Sequence, residues 1–548
     1  MPVPPLTPAM IEANYASGVW QPRPLHAVID EVAERRPDAP AVADQHERLS
    51  YRDLVRRSHM LAAWLLGLGL EPGDAVAVQA PNRIALALTH LACDRADLLY
   101  VPLSNSWRTT ELAHLLSVSR TRVLIVPQAD RRADFLAMAH ELRPRLPALK
   151  HVGTLDGPAP GADFDFDTVS SRGSARVDVP RDPNAPRYVM VTSGTTDLPR
   201  ASLWSDNNLW CFMRMFIGST ELTDNDVAVG LCPANTGATG YVYAVLAPLL
   251  VGASSVLLEE WSPVNALDLI ERERATTVTA VPTQVLKMLQ EDSLGKRDFS
   301  ALRVFTNAGA ALPPHAARAL EEAFGCVSQV CYGATDGGVP AMTHIRDSPE
   351  KRYTTVGRVS DIGRVKLVDT LGNEVPKGQP GELWWSSPTK SFGYLNEPDR
   401  DAAAFTGDGW YRSGDLARVD ADGYLGIVGR AKDLIIRGGQ NISPQELENL
   451  LAQHPSVGEV SVIGVPDAIY GERTCACVVP SPGREPTLAE IVAFLAERDV
   501  AKFKLPERLE FFTELPRSAG GKTSKVELRA AVAQRDAAIR GKERTWTE

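Results

Sequence analysis

The sequence has 548 residues, which is too many for one hydrophobic core and predicts several cores grouped into two or three domains. Its 44% hydrophobic and 23% charged residues are typical of a globular protein, which argues against a largely disordered chain. The net charge of -10 argues against a general nucleic-acid-binding protein, because no basic excess exists to displace counterions from phosphates. A local cationic pocket for a nucleotide is still compatible with that charge.

The chain carries no segment that we expect to enter a membrane or to direct secretion. Its amino terminus, MPVPPLTPAM, lacks a basic start followed by an apolar run. Residues 241–258 are uncharged, but Pro248 and Gly252 interrupt them, so we expect a buried helix, a glycine turn and a buried strand. Among the seven cysteines, Cys475 and Cys477 lie in an alternating apolar stretch, which favours strand residues over metal ligands. We therefore expect a cytoplasmic protein with reduced thiols, and neither a membrane nor a nucleic acid as partner.

From residue 24 to residue 126, helical periods alternate with short β-rich runs. This spacing predicts parallel βαβ units with helices on both faces of a sheet. The expected helices lie at residues 25–36 and 51–66, and the expected strands at residues 75–80, 98–103 and 122–127.

The rest of the chain predicts a second α/β region and two regions of different texture. Residues 158–186 are rich in Gly, Asp, Ser and Pro, which is typical of a loop or subdomain joint. A second α/β run follows, with strands at residues 276–282, 302–309 and 327–333. Short strands with frequent glycine turns fill residues 357–429. The expected fold class is therefore α/β: an N-terminal domain (residues 1–430) of two βαβ subdomains and a β-rich subdomain, then a small α+β domain (residues 431–548).

An apolar run ending at residue 191 leads into a row of small and hydroxyl residues. Such a loop places several backbone N–H groups and short hydroxyl donors in one concavity, which suits phosphate oxygens. Arg200 could add a cation. A solvent-exposed Ser/Thr loop is the alternative. The row consists of Thr192, Ser193, Gly194, Thr195 and Thr196.

Two aspartates follow glycine-rich strand ends further along the chain. Asp336, in VCYGATDGG, is a reasonable magnesium ligand at the carboxyl end of a parallel strand. Asp415, in GWYRSGDLA, could accept hydrogen bonds from ribose hydroxyls. For each aspartate alone, a turn-capping role is favoured. Other nucleotide signatures are absent, since Pro516 stands where a P-loop before Lys522 requires glycine.

Taken together and in this order, these segments resemble the adenylate-forming superfamily of acyl- and aryl-CoA synthetases, carrier-protein adenylation domains and luciferases. The resemblance covers nearly the whole chain. It is strongest at residues 429–451 (GRAKDLIIRGGQNISPQELENLL) and residues 502–529 (KFKLPERLEFFTELPRSAGGKTSKVELR). These two segments look like the interdomain hinge and the catalytic lysine segment of the superfamily.

The resemblance implies an enzyme that uses ATP and Mg²⁺. Residues 192–196 would hold the β- and γ-phosphates, Tyr332 would lie against the adenine, and Asp336 would hold magnesium. The implied catalytic residues are Thr192, Thr335 and Lys522, the last bridging the carboxylate of the acid and the α-phosphate.

The second half of the chain would supply further roles. Asp415 and Arg430 would bind the ribose, and Lys432 would be the hinge about which a mobile C-terminal domain rotates. Gly438 and Gly439 would form part of the passage for the thiol arm of CoA, which is the less certain of the implied ligands.

Three positions depart from the superfamily pattern. Asp197 replaces a glycine and puts a carboxylate beside the triphosphate, which is electrostatically unfavourable. Arg200 replaces a lysine and so keeps the charge with another geometry. Asp336 replaces a glutamate that is one methylene longer, which puts its reach to the metal in doubt.

The first functional hypothesis is an acid–CoA ligase for a small cyclic or aromatic carboxylate. Small residues in segments 236–240, 307–310 and 333–335 would line a compact cavity. A second hypothesis is an ATP-dependent diazotase that adenylates nitrite and joins it to an aryl amine. A third is a catalytically degraded paralogue that only binds nucleotide. A homodimer is common in the superfamily. The candidate pocket residues are Asn235, Thr236, Gly237, Gly309, Ala310 and Gly333.

Overall fold

The computed structural model describes residues 8–129, 133–171, 173, 175–177, 179–192, 198–235, 237–517 and 523–545. The strands are β1 (Pro40–Ala43), β2 (Arg48–Ser50), β3 (Ala75–Gln79), β4 (Leu99–Leu103), β5 (Val123–Val126), β6 (His151–Thr154), β7 (Phe164–Asp165), β8 (Tyr188–Thr192), β9 (Arg200–Trp204), β10 (Val227–Gly230), β11 (Ser254–Leu257), β12 (Thr277–Ala280), β13 (Val304–Ala308), β14 (Val327–Ala334), β15 (Gly338–Met342), β16 (Arg358–Val359), β17 (Arg364–Val368), β18 (Gly381–Ser386), β19 (Tyr411–Val419), β20 (Leu425–Arg430), β21 (Ile435–Arg437), β22 (Gln440–Ile442), β23 (Val457–Asp467), β24 (Gly471–Pro480) and β25 (Arg508–Phe511).

The α-helices are α1 (Pro8–Ala16), α2 (Leu25–Arg35), α3 (Tyr51–Gly67), α4 (Ile84–Arg95), α5 (Thr109–Val118), α6 (Phe135–Leu142), α7 (Phe166–Ser171), α8 (Asp206–Thr220), α9 (Ala247–Val251), α10 (Pro263–Arg272), α11 (Pro282–Leu289), α12 (Pro314–Phe324), α13 (Pro349–Thr354), α14 (Pro398–Ala404), α15 (Pro444–Leu451), α16 (Leu488–Ala496) and α17 (Lys525–Thr545). The described residues group into two compact units. The first holds residues 8–192, 198–365 and 385–412, and the second holds residues 366–384 and 413–545.

One sheet of the first unit is built from the predicted βαβ units. Its order is β7-β6-β5-β3-β4-β8-β9, and its neighbours are parallel except for the antiparallel pair β8 and β9. Every residue of β3, β4 and β5 is buried, as expected for parallel strands that are covered on both faces. The helices predicted at residues 25–36 and 51–66 are confirmed as α2 and α3.

The other sheet of the first unit has the order β16-β15-β14-β13-β12-β10-β11-β1-β2. Its middle strands, from β14 to β1, are parallel to their neighbours, and antiparallel strands complete both edges. The carboxyl ends of β12, β13 and β14 therefore meet at one edge, which is where open α/β sheets place their ligands.

The uncharged stretch at residues 241–258 folds as expected. A π-helix (Ala238–Leu246) continues into α9, and Gly252, with φ of 94°, ends that helix in the left-handed conformation that glycine tolerates. The buried strand β11 follows. Within the described parts of the chain, no helix is long and apolar enough to cross a membrane.

The expectation of an irregular loop at residues 158–186 is wrong for its middle part. Phe164 and Asp165 form β7, which pairs in parallel with β6, and residues 166–171 form α7. A side chain at Gly153 would approach the Phe164 ring to 2.3 Å, so the glycine of β6 provides the space for that ring. The Gly/Pro-rich composition predicted a loop, although two phenylalanines, Phe164 and Phe166, anchor these short elements.

The carboxyl-terminal part of the chain forms two smaller sheets, with orders β17-β18-β19-β20 and β22-β21-β24-β23, the latter extended by β25 next to β24. Within residues 357–429, the prediction of a mostly β region is confirmed, with α14 as the helical exception. Beyond residue 431, helices α15 and α16 pack on the second of these sheets, which confirms the α+β pattern. Cys475 and Cys477 are buried residues of β24, as expected for strand positions.

A buried ionic cluster ties α4 to the start of α8 in the first unit. The Arg181 Nε lies 2.8 Å from Asp94 Oδ1, and its Nη2 lies 2.5 Å from Asp206 Oδ1. Each of these side chains is at most 2% exposed. Since an isolated buried carboxylate is very costly, the shared guanidinium is what allows both acids to be buried there.

Candidate functional site

The turn after β14 holds a buried carboxylate between two tyrosines. Asp336 is 8% exposed. Tyr411 Oη donates a hydrogen bond of 2.7 Å to Asp336 Oδ1, and Tyr394 Oη donates another to Oδ2. The pKa of both phenols is raised far above the usual range of tyrosine. Burial is the larger cause, and the negative charge of Asp336 is the second. The two hydroxyls therefore stay protonated and act as donors.

The Asp336 carboxylate fits the requirements of a magnesium ligand. A carboxylate has about four lone-pair sites, so two phenol hydrogen bonds leave room for a metal. Among the residues that the structure describes, no group of three or more His, Cys, Asp or Glu side chains could hold a metal ion. Magnesium is commonly bound by one or two carboxylates together with substrate phosphates, so one carboxylate suffices beside a nucleotide.

Arg200 lies at the start of β9, directly opposite Thr192 at the end of β8. Its guanidinium carbon lies 5.9 Å from the centroid of the Tyr394 ring, which is within the range of a cation–π contact. The structure therefore brings Arg200, Tyr394 and Asp336 together in the first unit. Ser193, Gly194, Thr195 and Thr196, together with Asp197, lie outside the described residues.

Aromatic rings pack around the same turn and fix its course. The Trp385 ring lies 4.7 Å from the Tyr411 ring and 6.1 Å from the Tyr332 ring, between centroids. Trp385 Nε1 donates to the Gly337 carbonyl oxygen at 2.6 Å. A side chain at Gly337 would approach Tyr411 to 2.4 Å, so only glycine fits beside this ring. Tyr332 and Asp336 are thus held by the same aromatic group.

Some of the candidate pocket residues lie near this turn. A side chain at Gly237, whose φ is 83°, would lie 3.5 Å from Thr335 Oγ1, so these two predicted residues are neighbours. The main-chain oxygen of Thr335 accepts a hydrogen bond of 3.1 Å from Trp204 Nε1. Asn235 is buried, and its Nδ2 donates to the Ala80 carbonyl oxygen, which gives this asparagine a structural role. Thr236 lies outside the described residues.

Glycine at two other pocket positions has a clear structural cause. Gly309 follows β13 with φ of 86°, and Ala310 after it is exposed. A side chain at Gly333 would lie 2.5 Å from the Gly338 carbonyl oxygen, which excludes any larger residue there. Small residues at these strand ends leave the backbone accessible.

In the second unit, β19 and β20 place Asp415 directly opposite Arg430. Arg430 Nε lies 2.8 Å from Asp415 Oδ1, and the Asp415 backbone N–H donates to Ser413 Oγ at 3.0 Å. The Asp415 side chain is 11% exposed and that of Arg430 is 49% exposed. A carboxylate fixed in this way can accept hydrogen bonds from a diol.

The remaining predicted residues of the second unit lie at turns. Lys432 is exposed in a short 3₁₀ turn (Ala431–Asp433). Gly438 and Gly439 connect β21 to β22 with φ of 55° and 82°, and the Gly438 N–H donates to the Tyr470 carbonyl oxygen at 2.7 Å. Lys522 lies outside the described residues.

Comparison with known proteins identifies the family. Residues 29–395 match the AMP-binding enzyme family, and residues 446–522 match the AMP-binding enzyme C-terminal domain. The chain belongs to the AMP-binding enzyme family. The resemblance to adenylate-forming enzymes that the motifs indicated is thereby confirmed.

Several AMP-binding enzymes are similar to this chain along nearly its whole length. The medium-chain fatty-acid–CoA ligase of Escherichia coli (strain K12) is 33% identical, over 94% of this chain and 92% of that protein. The 2-hydroxy-7-methoxy-5-methyl-1-naphthoate–CoA ligase of Streptomyces carzinostaticus is 33% identical, over 96% of each chain. The crystal structure of the anthranilate CoA ligase AuaEII with anthranoyl-AMP has a TM-score of 0.84 at 25% identity, covering 93% of this chain and 97% of that one. The α/β fold class is therefore confirmed.

Sequence reasoning missed two residues of this AMP-binding enzyme, Tyr394 and Tyr411. They lie 58 and 75 residues from Asp336 along the chain, so no local pattern connects them with it. Tyr411 stands in the segment GWYRSGDLA, in which the sequence predicts a role only for Asp415. The signal available in the sequence was the placement of tyrosines beside glycine turns, and it does not specify their partner.

Proposed function

We propose that this AMP-binding enzyme activates a small cyclic or aromatic carboxylic acid with ATP and passes the acyl group to CoA. A carboxylate oxygen attacks the α-phosphorus, the bond to the leaving pyrophosphate breaks, and an acyl-AMP forms. The CoA sulfur then attacks the acyl carbon, and AMP leaves. The observation that carries the proposal is the end-to-end likeness to CoA ligases, one of which is named for a bicyclic aromatic acid.

The residues around the turn after β14 would act on the triphosphate. Asp336 would hold Mg²⁺ together with phosphate oxygens, while Tyr394 and Tyr411 fix its carboxylate. Bound magnesium would neutralise phosphate charge and favour the departure of pyrophosphate. Arg200 adds a positive charge beside the strand that leads into residues 193–196, where the phosphates would bind. Tyr332 would support the adenine ring, and Thr192 and Thr335 would donate hydroxyl hydrogen bonds.

The residues of the second unit would bind the ribose and the reacting carboxylate. Asp415 would accept hydrogen bonds from the ribose hydroxyls, and Arg430 would orient that carboxylate through their 2.8 Å ion pair. Attack of a carboxylate on a phosphate brings two anions together, and Lys522 would stabilise the developing charge at that point.

The chain would work as two domains, residues 1–430 and residues 431–548, with Lys432 as the hinge of a mobile C-terminal domain. Gly438 and Gly439 would line the approach of CoA. Thr236, Gly237, Gly309, Ala310 and Gly333 would surround the acid, and their small size suits a compact ring. Asn235 would support this pocket from its buried position.

Pyrophosphate release tests the proposal. The full chain is incubated with Mg²⁺ and ATP and with benzoates, hydroxybenzoates, naphthoates, alicyclic acids, fatty acids or nitrite, each with and without CoA. We expect release with at least one ring carboxylate, and we expect CoA to convert its acyl-AMP into the thioester. Release with nitrite alone, or silence with every carboxylic acid, would refute the proposal.

A further inference from the structure

Asn307 presents a buried carboxamide that the described residues leave without a partner. It is the penultimate residue of β13 and is fully buried, and neither its Nδ2 nor its Oδ1 has a hydrogen-bond partner among the described residues. Its neighbours in the sheet, Ala280 and Val330, have no side-chain donor or acceptor. Because buried amides are nearly always hydrogen-bonded, two unpaired atoms on one side chain indicate a missing partner.

The carboxamide lies beneath the place where β13 and β14 reach the surface. Asn307 is paired with Val330, and strand alternation puts Tyr332 on the same face as Val330. Immediately beyond β13 the chain is exposed at residues 309–311, and on the neighbouring strand Gly333 is exposed next to half-buried Tyr332. Asn307 thus lies at the bottom of the space between two exposed strand ends, at the edge where parallel sheets bind their ligands.

The opposite face of the same strands carries a hydrogen-bonded pair of side chains. Thr306 Oγ1 donates to Gln329 Oε1 at 2.8 Å, so the residues flanking the pair Asn307–Val330 point to the other side. On the face of Asn307, Phe305 packs against Phe324 of α12, with ring centroids 5.6 Å apart. The surroundings of the carboxamide on this face are largely apolar. Ser328, which lies opposite Phe305, is a further buried polar residue on this face, and its Oγ also has no partner among the described residues.

We propose that Asn307 is a specificity-determining residue whose side-chain carboxamide forms hydrogen bonds with the edge of the adenine ring. A carboxamide places a donor and an acceptor side by side, which matches the 6-amino group of adenine and the ring nitrogen beside it. Tyr332, on the same face, offers an aromatic surface for the flat side of the base. The inference rests on the nucleotide-binding part of the proposed function and adds a residue to it.

The test compares ATP with purine riboside 5′-triphosphate, which lacks only the 6-amino group. Binding of each to the full chain with Mg²⁺ is measured by titration calorimetry, so that the identity of the acid is not needed. The variants are Asn307→Leu, of similar size, and Asn307→Ser, which keeps the measurement possible if the first variant does not fold. The matched control is Thr279→Val, which also removes a buried unpartnered group but on the opposite face, opposite Thr306 in the sheet.

We expect the unaltered chain to bind ATP more tightly than the analogue by roughly 10-fold or more, as for other buried base contacts. In Asn307→Leu that ratio should fall towards one, with the affinity for the analogue changed by about twofold or less. Thr279→Val should keep the ratio. A preserved ratio in a folded Asn307 variant, or no preference in the unaltered chain, would overturn the inference.

Two further outcomes separate this inference from the proposed function. Intact preference for ATP without pyrophosphate release for any acid would refute only the proposed function. Absence of ATP binding would refute both. An Asn307 variant with an altered affinity for the acid and an unchanged base preference would assign the residue to the acid instead, and would overturn the inference.

Discussion

Replacing Tyr411 with phenylalanine isolates the contribution of one phenol to the Asp336 carboxylate. The change removes the 2.7 Å hydrogen bond to Oδ1 and leaves the ring, which packs 4.7 Å from Trp385, in place. A hydrogen bond to a charged group contributes about 1.5–3 kcal/mol. Since Tyr394 still holds Oδ2, we expect the loss to lie near the lower end of that range.

The loss should appear as weaker metal binding. Removing a partner that orients a metal ligand typically lowers metal affinity by roughly 10- to 100-fold, and the remaining Tyr394 bond favours about 10-fold here. The assay is electron paramagnetic resonance of Mn²⁺ bound to the protein in the presence of ATP, which reports binding without turnover.

A matched control separates this effect from the general cost of a buried tyrosine. Tyr51 is fully buried and donates a 2.7 Å hydrogen bond to the Ala253 carbonyl oxygen, an uncharged acceptor. Tyr51→Phe should lower stability without a change in Mn²⁺ affinity. Equal Mn²⁺ affinities of Tyr411→Phe, Tyr51→Phe and the unaltered chain would refute the role given to the two phenols.

Three further predictions concern other residues. Asp415→Asn should raise the KM for ATP by roughly 10-fold, because the ribose loses a charged acceptor, and an unchanged KM in steady-state pyrophosphate release would contradict that role. Lys522→Ala should abolish pyrophosphate release with the melting temperature preserved. Lys504→Ala, which removes a partly exposed ion pair with Glu446 and a contact with the Phe503 ring, should retain pyrophosphate release. Burial lowers the pKa of His90 from 6.5 to about 4, so the folded state binds fewer protons than the unfolded chain between these values and loses stability as the pH falls through that window. Between pH 7 and pH 5 this one histidine should cost about 2 kcal/mol. Urea denaturation at both pH values should show a smaller loss for His90→Phe, and an equal loss in both proteins would contradict the assignment.

Most of the first unit could be predicted because its signals are local. Continuous apolar runs at β3, β4 and β5 and helical periods at α2 and α3 specify their own elements, and their spacing specifies parallel pairing. The helix–turn–strand interpretation of residues 241–258 also succeeded, since Gly252 marks the turn. The short elements β7 and α7 could not be predicted, because Phe164 and Phe166 depend on space that Gly153 provides elsewhere in the chain.

In the candidate site, too, some features could be predicted from the sequence and others depend on the fold. Asp415 and Arg430 were each predicted on the resemblance to known enzymes, and their direct pairing follows only from the register of β19 and β20. In the sequence, Asn307 is only one member of a segment of small residues. Its significance depends on Val330 being its neighbour and on the absence of a partner among the described residues, neither of which a linear sequence contains.

The shorter carboxylate at position 336 shows why a departure from a family pattern needs its surroundings. From the sequence, aspartate in place of glutamate suggested a ligand that falls short of its metal. In the structure, two protonated phenols donate hydrogen bonds to that carboxylate, and Arg200 packs on the ring of Tyr394. A side chain with fewer rotatable bonds, oriented by two donors, loses less freedom on metal binding than a free glutamate does. If Asp336 holds magnesium as proposed, aspartate would have a shorter reach than glutamate but a more fixed orientation, and Tyr394 and Tyr411 would provide that orientation.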